Sequence, residues 1–256
     1  MYKVDLNSDL GESFGRYTLG NDEKIISLIS SANIACGFHA SDPMVMDKTV
    51  SLAKKYGAGV GAHPGFPDLL GFGRRNMVLT PEEARNYVSY QIGALYGFCK
   101  SYGIELSHVK PHGALYNMAG KDPVLAEAIC EGIARFDENI ILLGLAGSEL
   151  LKAAEKKGLA SASEFFADRA YEEDGSLRNR KLEGSMVTDE EVSVKRIIQA
   201  VTQGTVAAYS GKEIPVKVDS ICVHGDGEKA LLFVEKIRKA LEEEKIEILP
   251  LKDIVR

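Results

Sequence analysis

Asn33-Ile34-Ala35-Cys36-Gly37-Phe38-His39-Ala40-Ser41-Asp42-Pro43 is the stretch on which the fold turns. Its first four residues make a short run suited to a buried strand. Asp42 before Pro43 marks a helix start, because the aspartate caps free N–H groups and the proline sits where no N–H is needed. A strand, a loop carrying a histidine and a helix therefore follow one another within a few residues. Lys121-Asp122-Pro123 repeats the capping device just beyond His112, and Thr80-Pro81-Glu82-Glu83 adds a capping box that opens a helix running to about Tyr102.

Outward from that stretch, apolar residues switch repeatedly between short β-like runs and longer runs with helical spacing, the signature of βαβ units and parallel strands. The pattern predicts seven strands, near 4–7, 33–36, 59–62, 108–110, 140–143, 163–166 and 220–223, with a further short strand at 246–249. Helices near 148–157, 189–209 and 228–244 complete the set. The expectation is an α/β fold, a seven-stranded parallel (β/α) barrel forming one domain over residues 1–256, a usual length for such a barrel.

Composition narrows the function. With 31 basic and 37 acidic residues the net charge is −6 and no basic stripe stands out, which argues against nucleic-acid binding. Met1-Tyr2-Lys3-Val4-Asp5 does not read as a signal peptide, and no apolar run approaches the roughly 20 residues a bilayer requires, so a cytoplasmic protein without membrane contact is expected. Cys36, Cys99, Cys130 and Cys222 are widely spaced without a C-x-x-C pair, as free buried thiols would be.

Four of the five histidines occupy equivalent places just past a strand: His39, His63, His112 and His224. Asn7, Asp9 and Glu12 follow the first strand, Asp168 and Arg169 the sixth, and Asp226 the seventh. In parallel barrels the loops after the carboxyl ends of the strands build the active site, so these residues should converge. His108, at the entry side of its strand, reads as a packing residue. The His and carboxylate set suits a divalent metal and equally suits metal-free acid/base work, and no H-E-x-x-H is present to decide between them.

Other motifs are weaker. Gly57-Ala58-Gly59-Val60-Gly61 leads into a strand instead of following one, so it is not a dinucleotide fingerprint, and Ser210-Gly211-Lys212 lacks the upstream glycine of a P-loop. Gly144-Leu145-Ala146-Gly147-Ser148 follows a strand and opens a helix, which offers backbone N–H groups to an anion but reads first as a plain tight turn, and Cys36 reads as packing. Arg74 and Arg75, flanked by glycines, suit a carboxylate or phosphate. Two charged or glycine-rich loops, 64–76 and 168–186, are long enough to act as lids.

Taken together, Asp5-Leu6-Asn7-Ser8-Asp9-Leu10-Gly11-Glu12, Ser31 through His39, Gly61-Ala62-His63-Pro64-Gly65-Phe66-Pro67-Asp68, Gly71-Phe72-Gly73-Arg74-Arg75, Lys110-Pro111-His112-Gly113-Ala114-Leu115-Tyr116-Asn117, Phe166-Ala167-Asp168-Arg169-Ala170-Tyr171 and Val223-His224-Gly225-Asp226 resemble the LamB/YcsF family over essentially the whole chain. There are departures. Ser8 replaces a common cysteine, and Ser41 replaces the glycine of H-A-G-D-P; the run Arg180 to Ser185 also differs from the family's Pro/Gly/Ala-rich segment.

The resemblance implies a seven-stranded β/α barrel similar to glycoside hydrolases and polysaccharide deacetylases. It also implies a reaction, the ATP-dependent opening of 5-oxo-L-proline (pyroglutamate) to L-glutamate with ADP and phosphate, and two partner chains, subunits B and C. ATP is then a co-substrate. Asp9, His39, His63 and His112 are the candidates for proton transfer or metal binding. Lys110, Arg74 and Arg75 are the candidates for anions, and Asn7 and Asn117 for orienting hydrogen bonds. Glu12, Asp168, Arg169, His224 and Asp226 complete the substrate-binding candidates. Two other classes fit the same residues: a metal-dependent deacetylase or amidohydrolase working without ATP, and a non-catalytic substrate-binding subunit of a hydrolase complex.

Overall fold

A computed structural model describes residues 2–223 and 230–255. Its strands are β1 (Lys3–Leu10), β2 (Ser31–Ala35), β3 (Gly59–His63), β4 (Leu106–Val109), β5 (Ile141–Leu145), β6 (Ser161–Phe166), β7 (Thr205–Ala207), β8 (Glu213–Pro215), β9 (Ser220–Cys222) and β10 (Glu247–Ile248). The helices are α1 (Asp22–Ile25), α2 (Pro43–Tyr56), α3 (Pro81–Tyr102), α4 (Gly113–Ala119), α5 (Pro123–Phe136), α6 (Glu149–Lys157), α7 (Glu190–Gln203) and α8 (Ala230–Glu243).

Strands β1 to β6 pair in sequence order, and β9 pairs with both β6 and β1, all parallel. Ser220 stands opposite both Glu164 and Asp5, which closes the barrel. The seven strands lie where the apolar pattern places them. The short β10 pairs with the start of β1.

Capping signals also hold. Asp42 accepts from the N–H groups of Met44 and Val45, Asp122 from those of Val124 and Leu125, and Thr80 and Glu83 form a reciprocal capping box. One helix is shorter than its pattern. Instead of running from 189 to 209, α7 stops at Gln203, where Gly204 takes a left-handed conformation (φ 69°) that turns the chain into an antiparallel hairpin of β7 and β8. The apolar residues Val206 and Ala208 alternate as a strand does. Neither of the short helices α1 and α4 has a side-chain cap, although Asn21 stands at the cap position of α1.

Alternation divides the barrel into two environments. Outward residues such as Leu6, Leu10, Ile34, Val60 and Phe165 pack against the helices as the main core. Inward residues include an apolar cluster of Ile141, Leu143 and Ala162 closed by Leu251, and beside it a buried polar set that includes Asp5, Asn7, Asn33, His108 and Glu164. Gly61 makes room for that polar interior: a Cβ there would lie 2.1 Å from Nε2 of His108 on the neighbouring strand.

Candidate active site

The inward side chains of β1 are Asp5, Asn7 and Asp9, and each finds a polar partner from another strand. Asp5 accepts from the hydroxyls of Ser30 and Ser220. Asn7 donates to Ser220 Oγ at 2.7 Å, leaving its own Oδ1 to accept from the Asn33 amide at 2.7 Å. That amide also donates to Asp9 Oδ1 at 2.9 Å, and Asn33 Oδ1 accepts from His108 Nε2 at 2.7 Å. The donors of this ladder thus meet acceptors on neighbouring strands, as burial demands. Burial pushes the Asp5 carboxyl up to about 6, against the pull of its serine hydrogen bonds. It pushes His108 down to about 3, with the charge of Lys110 adding to the effect.

Above this ladder, Lys110 at the end of β4 places its ammonium 2.9 Å from Asp9 Oδ1 and 2.7 Å from Glu164 Oε1. Asn7 Oδ1 and Cys222 Sγ each lie 3.3 Å away. Burial disfavours the charge, but the carboxylates of Asp9 and Glu164 outweigh it and hold the Lys110 pKa well above that of a free lysine. The Tyr116 hydroxyl donates to the other Glu164 oxygen at 2.7 Å. Burial raises both Tyr116 and the Cys222 thiol well above their usual range, so neither ionises. Cys36, pushed up to about 12 by burial, is likewise a packing thiol. Ser8 is fully buried between inward Asn7 and Asp9 and so faces the helices, away from the site.

The three histidines that follow β2, β3 and β4 meet at the carboxyl end. His39 and His112 stack with centroids 3.7 Å apart and planes 2° from parallel, and His63 meets both edge-on. His63 Nδ1 lies 2.6 Å from the Lys110 carbonyl, and His112 Nε2 lies 2.9 Å from the Phe72 carbonyl. The remaining nitrogens, His63 Nε2 and His112 Nδ1, face each other at 2.9 Å. Glu12 Oε1 is 3.3 Å from His39 Nε2 and 3.5 Å from His112 Nδ1, while Asp9 Oδ2 is 3.3 Å from His63 Nε2. Burial pushes His39 well below the ordinary imidazole value and His112 down to about 3, the neighbouring histidines adding to the effect. Glu12, His39, His63 and His112 thus bring donor atoms within 4.8 Å of one another, a set able to hold a metal ion.

The glycine-rich loop after β3 is moulded onto these rings. Phe72, whose carbonyl meets His112, lies in the left-handed region at φ 54°, a strained place for a residue with a side chain. A Cβ on Gly73 would fall 2.8 Å from His39 Cβ and 2.9 Å from His112 Cδ2. Asp68 organises the turn: it accepts from the Gly71 N–H and from the Arg75 guanidinium, which holds its carboxyl down at about 2.

A cavity of about 1240 Å3 opens over the barrel end, with Asp9, His63, Lys110 and His112 in its lining. Arg74, Arg75, Asn117 and Arg169 also line it. Arg74 lies over the Phe72 ring, 5.0 Å from its centroid. Arg75 is engaged by Asp68, and Arg169 donates to the carbonyls of Ser185 and Arg178, so both brace loops. The 168–186 loop contributes 174–181 to the cavity wall. Asp168 is not in that lining; its carbonyl accepts from Val187 N–H, and its charge acts on Arg169 and Arg196. His224 and Asp226 lie outside the described residues.

Sequence reasoning passed over Glu164, Asn33 and Tyr116. Glu164 left a signal: a carboxylate in the strand Ser161–Phe166 is costly inside a barrel unless paired. Asn33, between apolar neighbours, carries the same message more faintly. His108 is a packing residue as expected, and its ring also anchors Asn33.

The model of the LamB/YcsF family matches residues 4–256. The 5-oxoprolinase A subunit of Clostridium beijerinckii is 66% identical, covering 99% of this chain and 100% of its own length. The crystal structure of the lactam utilization protein from Thermus thermophilus superposes with a TM-score of 0.92 at 46% identity, covering 96% of this chain and 99% of its own. A T48 deacetylase solved with substrate shares the fold at a TM-score of 0.51 and 12% identity, covering 99% of this chain and 90% of its own.

Proposed function

The chain belongs to the LamB/YcsF family, and we propose on that basis that it is the A subunit of a 5-oxoprolinase, a hydrolase component that opens the lactam of 5-oxo-L-proline. The observation that carries this reading is the full-length identity with proteins bearing that name. The site supports it chemically. A lactam carbonyl is a poor electrophile, and coupling to ATP, as co-substrate of the assembly with subunits B and C, converts its oxygen into an activated phosphoryl ester. Water then needs a base, and the departing ring nitrogen needs a proton.

Asp9 meets both needs. It lines the cavity, and Lys110 and Asn33 hold its Oδ1, leaving Oδ2 toward His63. It takes the proton from the attacking water and returns it to the ring nitrogen as the C–N bond breaks, which leaves the new carboxyl as an acyl phosphate that a second water hydrolyses to glutamate and phosphate. Lys110 acts through Asp9 and Glu164, which already neutralise it. His63 and His112 line the same cavity beside Asp9, while His39 is buried behind them. Arg74 and Asn117 in the cavity lining are the groups for the substrate carboxylate and phosphate.

The test is ATP hydrolysis dependent on 5-oxoproline, measured with this chain, subunits B and C, and each subset. Turnover should require this chain and should fall sharply in His63→Ala and His112→Ala. Undiminished turnover when this chain is omitted would defeat the reading.

A further inference from the structure

We infer that Glu12, His39, His63 and His112 bind one divalent transition-metal ion of the zinc class. The hydrogen bonds that fix the rings carry this assignment, whichever reaction the chain serves. A carbonyl oxygen only accepts, so His63 Nδ1 and His112 Nε2, at 2.6 and 2.9 Å from the Lys110 and Phe72 carbonyls, each carry the ring hydrogen. In the neutral rings, His63 Nε2 and His112 Nδ1 are then both bare lone pairs, and they point at each other across 2.9 Å. Two acceptors at that separation repel unless a cation lies between or beside them.

The rest of the cluster fits a metal. His39 turns Nε2 toward Glu12 Oε1 at 3.3 Å, and its Nδ1, buried without a partner, carries the ring hydrogen when Nε2 is a ligand. Four donors bonded at about 2.1 Å in a tetrahedron are about 3.4 Å apart. Here three of the separations are 2.9, 3.3 and 3.5 Å, and all four donors fall within 4.8 Å. Three imidazoles and one carboxylate favour zinc, iron(II) or cobalt(II) over magnesium or calcium, which take oxygen donors. The carbonyl partners of His63 and His112 are the outer hydrogen bonds by which metal-binding histidines are oriented. Bound there, such an ion supplies Lewis-acid polarisation of a carbonyl or phosphoryl oxygen.

The test uses the full-length chain, stripped with a chelator, loaded with zinc(II) and freed of excess. Mass spectrometry of the metal content should return about one zinc per chain, and zinc should raise the melting temperature. Cobalt(II) in its place should give the visible absorption bands of a low-coordinate nitrogen and oxygen site. Glu12→Gln and His112→Ala should weaken zinc binding by about 100-fold or more, since even an outer partner of a ligand is worth about 10–100-fold. Circular dichroism of both variants separates lost ligation from lost folding, and Glu12→Gln keeps the side chain's shape. Substoichiometric zinc in the wild type, or wild-type affinity in a folded Glu12→Gln variant, would overturn the inference and leave a shared proton between His63 and His112. Turnover of 5-oxoproline is a separate measurement, so either result stands whatever the assay of the complex shows.

Discussion

The ammonium of Lys110 lies 2.7 Å from Glu164 Oε1 inside the barrel, where Glu164 is fully buried and Lys110 nearly so. Removing one member of such a pair strands the other charge. Glu164→Ala should therefore destabilise the fold by about 3–5 kcal/mol, measured by urea unfolding. Glu164→Gln, which still accepts from Tyr116 or Lys110, should lose less. Equal stability of Glu164→Ala and the wild type would show that Asp9 alone holds the lysine.

Asp9 links that pair to the histidines, with Oδ1 on Lys110 and Oδ2 toward His63. As the proposed base, Asp9→Asn should cut turnover of the assembled complex by about 10²–10⁴-fold, with little change in KM for 5-oxoproline. A kcat within a few-fold of wild type would remove Asp9 from the chemistry.

Gly73 touches His39 and His112 with no room for a methyl group, and its φ of 62° already disfavours one. Gly73→Ala should destabilise by about 1–3 kcal/mol and lower turnover more than stability alone explains, because the loop sets the His112 ring through the Phe72 carbonyl. Thermal melting and turnover measured below the melting range separate the two effects.

His108 gives stability a pH dependence. Its folded pKa is pushed down to about 3 from 6.5, so the unfolded chain binds the proton first as pH falls. The stability it permits is complete above pH 6.5 and lost progressively toward pH 3, at up to about 1.4 kcal/mol per pH unit. His108→Gln, which keeps an amide donor for Asn33 but does not titrate, should flatten that acid slope in denaturation midpoints collected from pH 4 to pH 7. An unchanged slope would assign acid sensitivity to other groups.

Much of the barrel is legible in the chain because its signals are local. Asp42-Pro43, Asp122-Pro123 and Thr80-Pro81 cap the helices they precede, and each apolar run between them makes a strand. The carboxyl ends of those strands then place Asp9, His39, His63 and His112 together, a consequence of parallel order alone. The end of α7 was less legible, since a single glycine and a change from helical to alternating spacing decide it.

Which residues reach the barrel end was already written in the chain: a histidine after each of β2, β3 and β4, and the acidic and amide side chains of β1. How those residues are used came from the folded barrel. It gave Arg75 to Asp68, enlisted Glu164 for Lys110, and turned the lone pairs of His63 and His112 toward each other by engaging the far side of each ring with a backbone carbonyl. Helix caps and strand alternation act between neighbours in the chain, whereas the direction of a ring nitrogen depends on the carbonyl that distant folding brings to its other side.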